Sequence, residues 1–224
     1  MPDSLTNWHN ALEPLSPGRG VLLWGEEIRS LAAAAMAWGV ARGAKVLVVD
    51  AANRFDPYGL VREARRRGIA RETALARVKV ARAFTSHQLV RLVREELARQ
   101  AEPGSLVIIL GPVSLFYDEQ VPLAERLELF KSLTESLTAI KSRAALLLLQ
   151  PYLPRGAANR HFGHLLRPIM DCLVEVGGRA RVQKDLRGGP GDRWSPALPS
   201  NSPPNPRRRG PGKAEALPPT LPAK

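Results

Sequence analysis

Val21–Ala37 reads VLLWGEEIRSLAAAAMA. Val21–Trp24 is a short apolar run ahead of a turn signal, which predicts a buried strand. Gly25 supplies the tight turn, and Arg29 onward opens an alanine-rich helix. A strand, a turn and a helix in this order form the unit on which an α/β domain places a phosphate-binding loop. Such a loop needs the spacing G-x-x-x-x-G-K-[ST]. That spacing is absent here, and no lysine stands in the turn. Glu26 and Glu27 suit the positive end of a helix dipole but add negative charge where a phosphate would sit.

The neighbouring segments extend the pattern. Lys45–Asp50, KVLVVD, is nearly all apolar, as a parallel strand buried on both faces should be. After the loop AANRFDPYG comes a basic helix, Tyr58–Arg67, and a short helix near Arg71–Ala76. The strand Val78–Ala83 follows, then a helix capped by Ser86, with Leu89, Leu92, Val93 and Leu97 as its apolar stripe. Ser105–Leu110, SLVIIL, is the strongest strand signal. Pro122–Lys141 reads as a long amphipathic helix burying Leu123, Leu127, Phe130, Leu137 and Ile140. Ala144–Leu149 is a further strand, ending at Gln150. Cys172–Val176 and Arg179–Lys184 flank Gly177-Gly178, a two-residue hairpin signal.

Strands alternating with helical patterns imply βαβ crossovers and a mainly parallel sheet flanked by helices, with an antiparallel hairpin at its C-terminal end. The expected organisation is a flexible lead-in over 1–11, one α/β domain over 12–186, and a disordered Pro/Arg-rich basic tail over 187–224.

Net charge is +12 and the pI is near 10.8. The tail holds seven basic and two acidic residues, so +7 remains for the rest of the chain. An excess of this size favours polyanionic partners, above all nucleic acid, because each phosphate contact releases counterions. A GC-rich genome would also enrich Arg, Ala, Gly and Pro whatever the function. The single cysteine, Cys172, excludes an internal disulfide framework and a cysteine metal cluster. No apolar run approaches the ~20 residues that span a bilayer, and MPDSLTNWHN lacks a signal-peptide pattern. The expected location is the cytoplasm, with nucleoid association open.

Five stretches carry a family resemblance in the right order: WGE at 24–26, VVDAANRFDP at 48–57, VARAFTSHQ at 80–88, GPVSLFYDE at 111–119 and LLLLQ at 146–150. CLVEVGGRARVQKD at 172–185 adds a sixth. Together they resemble the RecA-like ATPase core of the archaeal RadA and eukaryotic strand-exchange recombinases and their paralogues. The resemblance covers most of 12–186 and implies a P-loop NTPase-type fold. An ATPase of that family needs backbone amides and a lysine around the phosphates, and Ser/Thr on magnesium. Here the turn GEEIRS is about two residues short, with Arg29 and Ser30 near the lysine and threonine positions. By the resemblance, the magnesium-holding aspartate corresponds to Gly111 and the water-activating glutamate to Ala52. The expectation is a degenerate nucleotide site at Gly25, Glu26, Arg29, Ser30, Asp50 and Gln150, with no catalytic residue and no ATP or Mg²⁺ bound.

Each polar candidate has two readings. Arg29 either binds a phosphate at a helix N-terminus or is a solvated surface residue. Asp50 caps its loop or belongs to a site; Gln150 relays ligand state or hydrogen-bonds at a strand end. His161 and His164 have a spacing compatible with metal ligands but no evident third partner, so no metal is expected. The loop PYLPRGAANRHFGH at 151–164 occupies the place of the family's second DNA-contacting loop. Arg155 and Arg160 are candidates for phosphates there, and Phe162 or Tyr152 for stacking on bases; the other reading of the loop is a basic connection with an aromatic pinned to the core. Arg207, Arg208 and Arg209 either add an electrostatic arm or belong to solvated low-complexity sequence. The function expected is a non-catalytic accessory protein of DNA recombination or repair that binds DNA, a recombinase or another repair protein. The alternatives are a scaffold or regulator without DNA contact, and a divergent nucleotide-binding ATPase.

Overall fold

The structure, a computed structural model, describes residues 16–153, 162–176 and 182–183. Seven strands form one sheet: β1 (Gly20–Gly25), β2 (Val46–Asp50), β3 (Val78–Arg82), β4 (Leu106–Leu110), β5 (Ala145–Pro151), β6 (Cys172–Val176) and β7 (Val182–Gln183), in the order β3-β2-β4-β5-β1-β6-β7. Every pairing from β3 to β6 is parallel, and only β6 with β7 is antiparallel. This is a RecA-like α/β sheet. β2, β4 and the apolar part of β5 are buried residue by residue, because helices cover both faces and leave no solvated side for a polar residue.

On one face lie α1 (Ile28–Ala41), α2 (Pro57–Arg66) and α3 (Arg71–Arg77), packed on Val21, Leu23, Val46, Val48, Ile108 and Leu147. The alternate strand residues Leu22, Leu47, Val49, Val107, Ile109 and Leu148 meet the other layer. That layer holds α4 (Ser86–Arg91), which continues through a π-helical stretch Leu92–Leu97, together with α5 (Leu123–Lys141) and α6 (Phe162–Leu166). The small residues of α1 let it approach closely. A Cβ on Gly39 would meet Leu106 Cδ2 at 2.8 Å and Val46 Cγ2 at 3.0 Å.

Several local expectations are corrected. α4 is capped by Thr85, whose Oγ1 accepts from the Gln88 N–H at 3.2 Å, and Ser86 is its buried first residue. Asp56 caps α2, accepting from the Gly59 N–H at 2.9 Å, with Pro57 in the first turn. The buried stripe of α5 is Arg126, Phe130, Leu133, Leu137 and Ile140; Leu123 and Leu127 are 43% and 46% exposed. Arg126 lies on the buried face with its guanidinium donating to the Phe116 carbonyl at 3.1 Å. At the C-terminal hairpin, β6 extends the sheet in parallel beside β1. Val174 pairs with Val182, one residue later than a two-residue Gly177-Gly178 turn would allow. The expected lead-in and tail, 1–11 and 187–224, lie outside the described residues. Among the described residues no helix is long and apolar enough to cross a membrane.

Candidate functional site at the C-terminal edge of the sheet

Parallel α/β sheets bind ligands where their strands end, so the ends of β1, β2, β4 and β5 are the place to look. β1 stops at Gly25 and α1 starts at Ile28, leaving Glu26 and Glu27 as the whole connection. Gly25 has φ +151°, a conformation open to glycine, and any Cβ there would overlap the Val176 carbonyl oxygen of β6. The Glu26 N–H donates to that same oxygen at 3.2 Å. The turn is therefore laced to β6. Glu26, Glu27, Arg29 and Ser30 are exposed, and the Ser30 hydroxyl donates to the Glu27 carbonyl at 2.9 Å.

Tyr152 closes the same end. Its N–H donates to the Gly25 carbonyl at 3.2 Å, its hydroxyl to Glu175 at 3.0 Å, and its ring meets Trp24 edge-on at 5.5 Å. Burial, then the Glu175 hydrogen bond and the charges of Glu175 and Glu26, push its phenol up to about 12. Negative charge thus gathers at the C-terminal end of β1.

Asp50 is fully buried, and its carboxylate accepts from the N–H groups of Ala52, Arg54 and Phe55 at 3.3, 2.9 and 3.0 Å. Arg82 approaches it at 3.4 Å. Its work is to fold the loop after β2, in which Asn53 adopts φ +54°. Gln150 does the same for the loop after β4. Its Oε1 accepts from the Val113 N–H at 3.1 Å, and its Nε2 donates to the Pro151 carbonyl at 2.7 Å and to Ser114 Oγ at 3.3 Å. At the end of β4, Leu110 is buried in the apolar core and Gly111 has φ +73°. A Cβ on Gly111 would meet Ala52 Cβ at 2.5 Å and Ser114 Oγ at 2.6 Å. Gly111, which the resemblance sets at the metal-holding position, carries no carboxylate, and the space its Cβ would take is filled.

Of the two readings of Phe162, the structure favours the aromatic pinned to the core. It is 2% exposed and packs against Phe116, Phe130 and Tyr117 at ring separations of 5.5, 5.0 and 5.7 Å. Tyr152 is held on Trp24 and Glu175. Arg155, Arg160, His161 and Arg207–Arg209 lie outside the described residues, and among the described residues no cluster of three metal-ligating side chains occurs.

The sequence reading missed an open cleft of about 630 Å³ beside this closed end. Its walls come from the loops after β2, β3, β4 and β5, and include Arg54, Arg82, Phe84, Asp118 and Glu119. Phe84 is 68% exposed. The available signal was topological, since four parallel strands ending together leave a crevice between their loops.

A protein-family model described as Rad51 matches residues 32–145, from within α1 to the first residue of β5. The turn at Gly25 precedes the matched region. No curated protein shows significant similarity to the chain.

Proposed function

Because this chain belongs to the Rad51 family, we propose that it is a non-catalytic member, an accessory protein of DNA recombination or repair that binds DNA, a recombinase partner, or both. Family membership supports the link to recombination and repair. The observation that carries the non-catalytic part is the β1–α1 connection, two glutamates of which the first is bonded to β6, where a triphosphate would need a glycine-rich cradle and a lysine. Gly111 packed against Ala52 points the same way, with neither a magnesium-holding nor a water-activating carboxylate at those positions. The net charge of +12 supports the DNA contact.

Two measurements test this reading. Thermal unfolding with and without Mg²⁺ and ATP should give superimposable curves, and stabilisation by several degrees would overturn the non-catalytic assignment. Binding to single-stranded DNA should be present at low salt and fall steeply as salt rises. Absence of binding even at low salt would leave the recombinase as the partner.

A further inference from the structure

α2 and α3 lie on the outside of one helical layer and are the most basic part of the described chain. Residues 57–77 hold six arginines and two glutamates. One glutamate is already committed: Glu63 binds Arg66 at 2.7 Å and Arg67 at 2.8 Å. Burial pushes the Glu63 carboxyl up, but the two guanidiniums outweigh it and hold it below its usual range. Arg62, Arg65 and Arg71 make no ion pair or hydrogen bond with any described residue. They line an open groove of about 780 Å³, together with Tyr58, Val61 and Leu75. Tyr58 is 83% exposed, and its ring stands one helical turn before Arg62.

Unpaired guanidiniums at helical spacing with a solvent-facing aromatic ring among them combine phosphate contacts with a surface on which a base can stack. An acidic helix would instead need a continuous apolar stripe for its anchors. Here the aliphatic lining is Pro57, exposed at the start of α2, Val61, half-buried, and Leu75, 39% exposed, with no further apolar residue to extend it into a stripe. We propose that the α2–α3 groove binds single-stranded nucleic acid, with Arg62, Arg65 and Arg71 on phosphates and Tyr58 stacked on a base. This rests on the reading of the protein as a DNA-binding member of its family. It locates the contact away from the C-terminal edge of the sheet and from the loop at 151–164.

The test is fluorescence anisotropy of labelled oligo-dT and oligo-U with the full-length protein across a salt series, so that any contribution of the tail cancels between variants. Replacing Arg62, Arg65 and Arg71 together by alanine should flatten the log–log salt slope by about 2, at roughly 0.7 per phosphate contact on a single strand. Tyr58→Ala should weaken binding about tenfold with the slope unchanged, and Tyr58→Phe should restore it. Comparable binding of both oligonucleotides, or preference for one, supports the groove and identifies the nucleic acid it takes. Wild-type slope and affinity in the triple variant would overturn the groove while leaving the DNA-binding reading intact. If the wild type bound neither oligonucleotide, both would fall. Binding of polyglutamate in place of the oligonucleotides, lost in the triple variant, would make the occupant an acidic polypeptide and overturn the nucleic-acid assignment. All four side chains are exposed, so unchanged thermal unfolding should show that the variants fold.

Discussion

The turn after β1 and the groove between α2 and α3 are opposites built on one domain. The turn is short, acidic and closed, with a glycine pressed on a neighbouring strand and a tyrosine fastened over it. The groove is open and basic, with three arginines that meet no carboxylate among the described residues. Side chains committed to one another stabilise a fold, whereas charges left unpaired at the surface add little to stability and are available to a partner. Mutations at the two places should accordingly register in different measurements.

The largest effect is expected at Gly25. Gly25→Ala sets a methyl group on the Val176 carbonyl and should cost about 4 kcal/mol or more in urea unfolding, through loss of the β1–β6 pairing. A cost below about 1 kcal/mol would mean that β6 does not press on the turn. Gly111→Asp is next, at roughly 3 kcal/mol, from the left-handed backbone and the overlap with Ala52. It should bring no stabilisation by Mg²⁺ and ATP. Asp50→Ala should cost roughly 2–3 kcal/mol by leaving the N–H groups of Ala52, Arg54 and Phe55 without their acceptor. Alanine at Arg62, Arg65 and Arg71 should change unfolding by no more than about 0.5 kcal/mol. If those variants unfolded like Gly25→Ala, the contrast between the two regions would be gone.

The last effect is a pH dependence, seen only in alkaline solution. The Tyr152 phenol is raised from its ordinary 10.0 to about 12, so its neutral form is the one the fold favours. Its contribution to stability is complete below pH 10 and is lost as pH rises through 12. Absorbance titration should show one tyrosine ionising last, and Tyr152→Phe should remove that step.

Much of the architecture was legible because β2, β4 and β5 announce themselves as uninterrupted apolar runs, a pattern that a doubly covered parallel sheet demands. The stripe of α5 was not, since Arg126 occupies an inward position on a hydrogen bond to Phe116 that no periodicity reveals. The roles of Asp50 and Gln150 were half legible: their place at strand ends could be read, but not the five N–H and carbonyl partners that tie them to their loops. Phe162 stood open between two readings because an aromatic in a basic loop looks the same in sequence whether it faces solvent or a cluster of phenylalanines. The arginines of α2 were visible as a basic helix, but which of them Glu63 neutralises depends on side-chain geometry.

Gly111 cannot gain a side chain while Ala52 and Ser114 keep their places. A single substitution at position 111 must first displace Ala52 and Ser114. A carboxylate at position 52 must find room on a loop that three Asp50 hydrogen bonds hold in shape. The cost of an acidic residue at position 111 should thus depend on what stands at positions 52 and 114, and smaller residues there should lessen it.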